Sequence, residues 1–168
     1  MPMNQAMNSA LNDQTTMELQ AAHSYLAMAA WFDSTGFPGM AAWMHAQSAE
    51  ETQHALKLYQ FILDRDGRIE LGSLDAPVSD FESVTAVFEA GLGQEREVTA
   101  SINNLYAIAI DEKDFVSLPL LDWFITEQIE EESTFSQILD DLKLAGDSAQ
   151  AILFLDRELG ARGAVAQQ

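Results

Sequence analysis

Five side chains in this sequence have the type and the register to hold metal ions: Glu18, Glu51, His54, Glu95 and Glu131. Glu18 keeps step with Leu11, Ala22, Tyr25, Ala29 and Phe32 at the three, four and seven residue intervals of a helix's apolar stripe. Glu51 shares a stripe with Met44, Ala55, Leu58 and Ile62, and His54 follows three residues on, close to the same face. Glu95 lies among Phe88, Leu92, Thr99 and Ile102, and Glu131 among Phe124, Glu127, Phe135, Ile138 and Leu142. Each stripe should carry its carboxylate into an apolar interior, where an unpaired ionised group either neutralises itself or breaks the fold. The chain has only 8 Lys and Arg against 27 Asp and Glu, and apart from Arg96 beside Glu95 no base falls near these positions. Two divalent cations would balance four carboxylates. Oxygen donors with an imidazole suit iron or manganese better than copper, and they leave coordination positions open for redox chemistry. A lone Glu-x-x-His, or a lone Glu on an apolar stripe, is commonly incidental. Five such residues spread over four helices form one constellation.

The elements that must position them follow from the punctuation of the chain. The 9 Gly and 4 Pro fall in clusters, leaving four long stretches with apolar residues at helical spacing, which predicts an all-α bundle. The first stretch covers about 7–33 and stops at Ser34-Thr35-Gly36-Phe37-Pro38, with Pro38 suited to the first turn of the next helix. The second covers about 38–66 and gives way to roughly 15 residues of weak helical pattern containing Gly67, Gly72 and Pro77, long enough to cross the whole bundle. The third covers about 80–110, with Ser79 or Asp80 as N-cap, and the fourth about 115–145, with Gly146 as C-cap. A short amphipathic stretch over 148–159 closes before Gly160, and the tail 161–168 is expected to be disordered. The reading is one domain over 1–168: a four-helix bundle with short turns, one long crossover between helices two and three, and a short fifth helix.

Composition excludes several functions. A formal charge of −19 argues against nucleic acid as a partner, and 48% hydrophobic residues is too rich for a disordered acidic chain. The absence of Cys removes disulfides, thiolate metal sites and thiol nucleophiles. The first residues have no basic-then-apolar pattern, and the longest apolar run is Leu26 to Phe32, so neither a signal peptide nor a membrane span is expected and the location is read as cytoplasmic.

The motifs resemble those of the non-haem bacterial ferritins over nearly the whole chain. The densest matches are Met17-Glu18 with Tyr25-Leu26, Gly39-Met40-Ala41 through Glu50-Glu51 and His54, and Leu74-Asp75-Ala76-Pro77 in the crossover. Others are Trp123-Phe124 through Glu127-Gln128 and Glu130-Glu131-Glu132, then Leu144-Ala145-Gly146 and Phe154-Leu155-Asp156. The resemblance implies a ferritin-like fold assembled into a hollow cage of 24 copies, which oxidises Fe(II) with O2 or H2O2 at a di-iron ferroxidase centre and stores a ferric mineral. It assigns Glu18, Glu51 and His54 to a first iron, with Glu51 bridging, and Glu95 and Glu131 to a second, with Gln128 close by. It assigns Glu50, Glu127 and Glu130 to a third iron site beside the pair, Tyr25 to the role of one-electron donor, and Trp123 more weakly to the same role. Haem is not expected, because Thr52 and Glu130 stand where haem-binding relatives carry Met and His. Leu118 and Leu121 stand where animal ferritins carry the acids of their three-fold channel, so iron would have to reach the interior by other acids. The alternative is a small di-iron oxidase or peroxidase of rubrerythrin or oxygenase type without mineral storage. Against the rubrerythrin form stand Glu127-x-x-Glu130 in place of a second Glu-x-x-His, and the lack of any Cys.

Overall fold

The computed structural model describes residues 3–165, and side chains as far as Ala161. Five helices follow in order: α1 (Gln5–Thr35), α2 (Pro38–Asp64), α3 (Val84–Asp111), α4 (Leu118–Ala145) and α5 (Ala149–Val165). No strand occurs among the described residues. None of these helices is long and apolar enough to cross a membrane. α1 starts where the Asn4 side chain accepts the Met7 N–H and stops at Gly36, whose φ of 87° only a residue without Cβ adopts freely. Pro38 opens α2, as its fixed φ favours.

The cap of α3 differs from the sequence expectation. It is Ser83, whose side chain accepts the Ala86 N–H, and not Ser79 or Asp80. The reason lies in tertiary packing: Phe81 sets its ring edge-on to Trp31 at 5.9 Å, which holds the preceding residues extended. α4 likewise begins later, at Leu118, because Ser117 is drawn into a buried fork. Both guanidinium nitrogens of Arg65 reach Asp114, at 3.0 and 3.1 Å, Arg65 also reaches the Ser117 hydroxyl, and that hydroxyl donates to Asp114 at 2.9 Å. The fork ties the α3–α4 turn to the end of α2. α5 runs to Val165, beyond Gly160; residues 166–168 of the expected tail lie outside the described residues.

The long crossover is extended and is strapped along α1 by side chains four apart. The Asn8 carboxamide bonds both N–H and C=O of Arg68, Asn12 reaches Arg68 and Glu70, Thr16 accepts the Gly72 N–H, and Gln20 bonds both backbone groups of Asp75. The match is metrical. Four residues of helix rise about 6 Å and two residues of extended chain about 6.6 Å, so the N–H groups of Arg68, Glu70 and Gly72 meet successive side chains of the row, and the last step, to Asp75, takes three residues. The strap follows α1 from its start towards its end, which makes α2 and α3 parallel, as one long crossover requires.

Two apolar clusters fill the bundle. One gathers Tyr25, Phe32, Met40, Met44, Phe88 and Phe135; the other gathers Met7, Leu11, Leu58, Ile62, Ile102 and Phe124. α5 packs mainly on α2. Ile152 and Leu155 meet the first cluster, whereas Leu153 and Phe154 remain exposed. Buried Asp156 locks it in place by accepting the Met40 N–H at 2.8 Å, one of the unpaired donors at the start of α2. The approach needs glycine, since a Cβ on Gly39 would stand 1.8 Å from the Asp156 carbonyl oxygen. Asp156→Ala should therefore cost about 1 kcal/mol, and Gly39→Ala should displace α5 from a bundle that otherwise persists. Hydrogen exchange read by peptide should accelerate in α5 and the first turn of α2 and stay unchanged in α3.

Candidate metal centre

The four inward carboxylates lie between the two apolar clusters, one from each long helix. Glu18 and Glu95 are fully buried, and Glu51, Glu131 and His54 are 1%, 7% and 3% exposed. Ligand atoms of Glu18, Glu51 and His54 lie within 4.8 Å of one another, a separation that one ion could span. In that group Oε2 of Glu18, Oε1 of Glu51 and Nδ1 of His54 are buried with no hydrogen-bond partner, although Nδ1 is only 3.2 Å from Oε2 of Glu51. Buried polar atoms are nearly always paired. Three ligand-type atoms without a partner in one such group, two of them carboxylate oxygens, fit a bound cation.

Glu95 and Glu131 come from the opposite helix pair, and their electrostatic influence on Glu51 places them in the same cluster. The Tyr25 hydroxyl donates to Glu95, and its ring stacks on Phe135 at 5.8 Å. Gln128 donates to the Glu95 carboxylate and to its backbone oxygen, both at 3.1 Å. Trp123 stands edge-on to His54 at 5.3 Å, with the Lys57 ammonium 4.1 Å above its own ring.

A second group joins the first through the imidazole: Glu50, His54 and Glu127 also have ligand atoms within 4.8 Å of one another. It opens onto a surface pocket lined by Gln53, Lys57 and Trp123. Glu130 is exposed and outside this group, yet its charge is felt at Glu50. Glu50 and Glu127 thus come together as the sequence expectation has it, with His54 nearer than Glu130.

Two participants escaped the sequence reading. Buried Gln14 donates to Oε1 of Glu18 at 2.8 Å, and buried Gln47 donates to Oε2 of Glu131 at 2.8 Å. The signal was present, because Gln14 continues the stripe from Leu11 to Glu18 and Gln47 the stripe from Met44 to Glu51.

Burial pushes Glu18 far above the ordinary glutamate value near 4.5, with the charge of Glu51 adding to it and the Gln14 bond opposing. Glu51 rises through burial first and the Glu95 charge second. Glu95 rises through burial, against the bonds from Tyr25 and Gln128. Glu131 is pushed up to about 8 by burial, then by Glu95 and Glu50. Tyr25 is raised well above 10 by burial and then by Glu95, so its phenol keeps the proton that it donates. Without a cation the cluster therefore retains protons at neutral pH. A carboxyl whose pKa is higher folded than unfolded lends stability that is complete below the unfolded value and is lost as pH rises through the folded one. For Glu131 that window runs from about 4.5 to about 8. The urea midpoint of metal-free protein in chelator should fall as pH rises across this window. Glu131→Gln should flatten the fall, and a saturating divalent cation, which replaces the protons, should remove it.

The chain matches the Ferritin family, described as a ferritin-like domain, over residues 8–145. It is 42% identical over 153 residues to the bacterial non-heme ferritin of Staphylococcus haemolyticus, covering 91% of this chain and 92% of that one, with the same figures for Staphylococcus aureus strain USA300. Among solved structures, the novel open pore ferritin of the hyperthermophilic archaeon Archaeoglobus fulgidus superposes with a TM-score of 0.93 at 40% identity, covering 94% of this chain and 98% of that one. A closed form of the A. fulgidus ferritin engineered by site-directed mutagenesis superposes at 0.92, with 40% identity and coverage of 94% and 96%. With the family match spanning 8–145 and 42% identity to a bacterial non-heme ferritin over 91% of its length, the chain belongs to the ferritin family.

Proposed function

We propose that the protein stores iron: it binds Fe(II) at the buried centre, oxidises it and passes Fe(III) to a mineral inside a cage of 24 copies. The observation that carries this reading is the unpaired triad of Glu18, Glu51 and His54, backed by Glu95 and Glu131. Fe(II) is the substrate. Glu18, Glu51 and His54 hold one ion and Glu95 and Glu131 the other, with Gln128 beside it and Glu51 shared between the two. Each ion gives up one electron, so a pair reduces O2 with two protons to H2O2, or H2O2 with two protons to two waters. Carboxyls that carry protons while empty release them as Fe(II) binds. Tyr25, bonded to Glu95, is positioned to supply a further electron while that carboxylate takes its proton. Haem is not part of this reading, because Thr52 and Glu130 stand where haem-binding relatives carry Met and His.

The cage reading rests on exposed apolar side chains away from the centre: Leu144 at 86%, Val78 and Ile129 at 67% and Phe154 at 62%. A lone subunit would leave that surface to water. The test combines both readings. Wild-type protein should oxidise Fe(II) rapidly in stopped flow and build a ferric core, while Glu51→Ala falls to the rate of buffer alone with its assembled mass by light scattering unchanged. Metal-free Glu51→Ala should lose less stability than wild type as pH rises, since the substitution removes a buried carboxyl whose ionisation burial opposes. Wild-type initial rates in the variant, or a wild-type subunit that remains a monomer, would overturn the reading.

A third iron position, held by Glu50 and Glu127 with Glu130 at its rim, fits the second ligand group at the surface pocket. Glu127 and Glu130 are three apart on α4 and so lie on one side of it. Glu130→Ala should leave the fast oxidation of the first two ions nearly unchanged and alter the Fe(II) to oxidant ratio or the later mineralisation rate. Fe(II)-soaked crystals should place an ion between Glu50 and Glu127.

A further inference from the structure

Three of the four buried carboxylates are each held by a glutamine amide, and the fourth is held by none. Gln14 on α1 donates to Glu18, Gln47 on α2 to Glu131, and Gln128 on α4 to Glu95, at 2.8, 2.8 and 3.1 Å. Glu51 accepts no such bond among the described residues, and one of its oxygens is unpaired. All three glutamines are buried, at 1%, 7% and 3% exposure. We propose that Gln14, Gln47 and Gln128 are positioning residues that orient Glu18, Glu131 and Glu95 towards a pair of divalent cations, with Glu51, beside His54, as the one carboxylate that no amide holds.

The chemistry of the amide explains the choice. An ionised carboxylate only accepts hydrogen bonds, so a donor is needed to fix its rotation. A Lys or Arg in that place would neutralise the charge that a cation needs, whereas a carboxamide orients the group and leaves its charge intact. The Gln14 bond takes Oε1 of Glu18 and leaves Oε2 unpaired, one of the three atoms that face each other in the triad. The Gln47 bond works across helices, from α2 to the carboxylate of α4, so it also sets the spacing of that pair.

The Gln14 arm has a second anchor. The Ser101 hydroxyl, on α3, donates to the Gln14 carbonyl oxygen. An amide turned over would set its oxygen against the Glu18 carboxylate, which only accepts, so Glu18 fixes the polarity of the amide and Ser101, by bonding its far end, fixes its position. Ser101 acts on the centre only through Gln14, and this separates a positioning role from general packing.

The inference rests on the two-cation reading, and its test uses Co(II), whose visible absorption reports ligand geometry without any turnover. Co(II) is titrated into metal-free wild type, Gln14→Leu, Gln47→Leu, Ser101→Ala and the Gln14→Leu/Ser101→Ala double variant, with urea stability of each metal-free protein measured alongside. Gln14→Leu and Gln47→Leu should each weaken Co(II) binding roughly tenfold and change the spectrum, without a parallel loss in urea midpoint. Ser101→Ala should shift the spectrum in the same direction by less, and should add nothing in the Gln14→Leu background. Should a leucine variant not fold, the Ser101→Ala spectrum decides for the Gln14 arm. Wild-type affinity and spectrum in the folded leucine variants, or additive effects in the double variant, would overturn the positioning role while the cation site stands. Absence of any Co(II) spectrum in the wild type would instead overturn the site reading, and the inference with it.

Discussion

Mutual repulsion among four carboxylates in a dry interior is the constraint around which this molecule is arranged. Glu18, Glu51, Glu95 and Glu131 lie between two apolar clusters, where charge is expensive and no solvent screens one acid from the next. The bases of the chain do not relieve the strain. Arg65, Arg68 and Arg96 are engaged with Asp114, Glu70 and Glu132, and Lys57 covers the Trp123 ring. Neutral donors and retained protons moderate the repulsion, and an incoming cation removes it. The same burial that weakens the empty bundle therefore strengthens its hold on a divalent ion.

Such a layer survives only in a rigid frame, and the rest of the fold supplies one. The apolar clusters clamp the helices on either side of the acids. The Arg65, Asp114 and Ser117 fork fixes the far turn to α2. The row Asn8, Asn12, Thr16 and Gln20 turns an extended crossover into an outer brace on α1. Asp156 anchors α5 at the start of α2. These polar contacts are of modest individual worth, about 1 kcal/mol each. Their value lies in where they are placed, at the ends and outer face of the bundle, away from the residues that must hold ions.

His54 joins the buried layer to the surface. It belongs to the inner group with Glu18 and Glu51 and to the outer group with Glu50 and Glu127, and the Trp123 and Phe124 rings flank it edge-on. An imidazole has two ring nitrogens, so a single side chain can address both groups. The pocket over the outer group is lined from α2 by Glu50, Gln53 and His54 and from α4 by Trp123 and Glu127, so His54 is the residue that the buried group and the pocket share. Leu121 is fully buried in the core.

The sequence by itself determined the all-α class, the crossover between the second and third helices, and the inward set Glu18, Glu51, His54, Glu95 and Glu131. Each of these rests on helical periodicity, a local property that 3.6 residues per turn imposes whatever lies across the interface. Only the tertiary structure decided the rest, because the rest depends on which helices face one another. Gln47 is spaced to reach Glu51 on its own helix but bonds Glu131 on α4, whereas Gln14 does bond its own neighbour Glu18. Ser83, not Ser79 or Asp80, caps α3 because Phe81 is held by Trp31 of α1, and Ser117 gives up its capping bond to the Arg65 fork. Glu127 meets His54 and Glu50 while Glu130 stays at the surface: three residues on a helix leave two side chains only about 60° apart, so periodicity puts both on one side and only packing against α2 says which of them is the nearer.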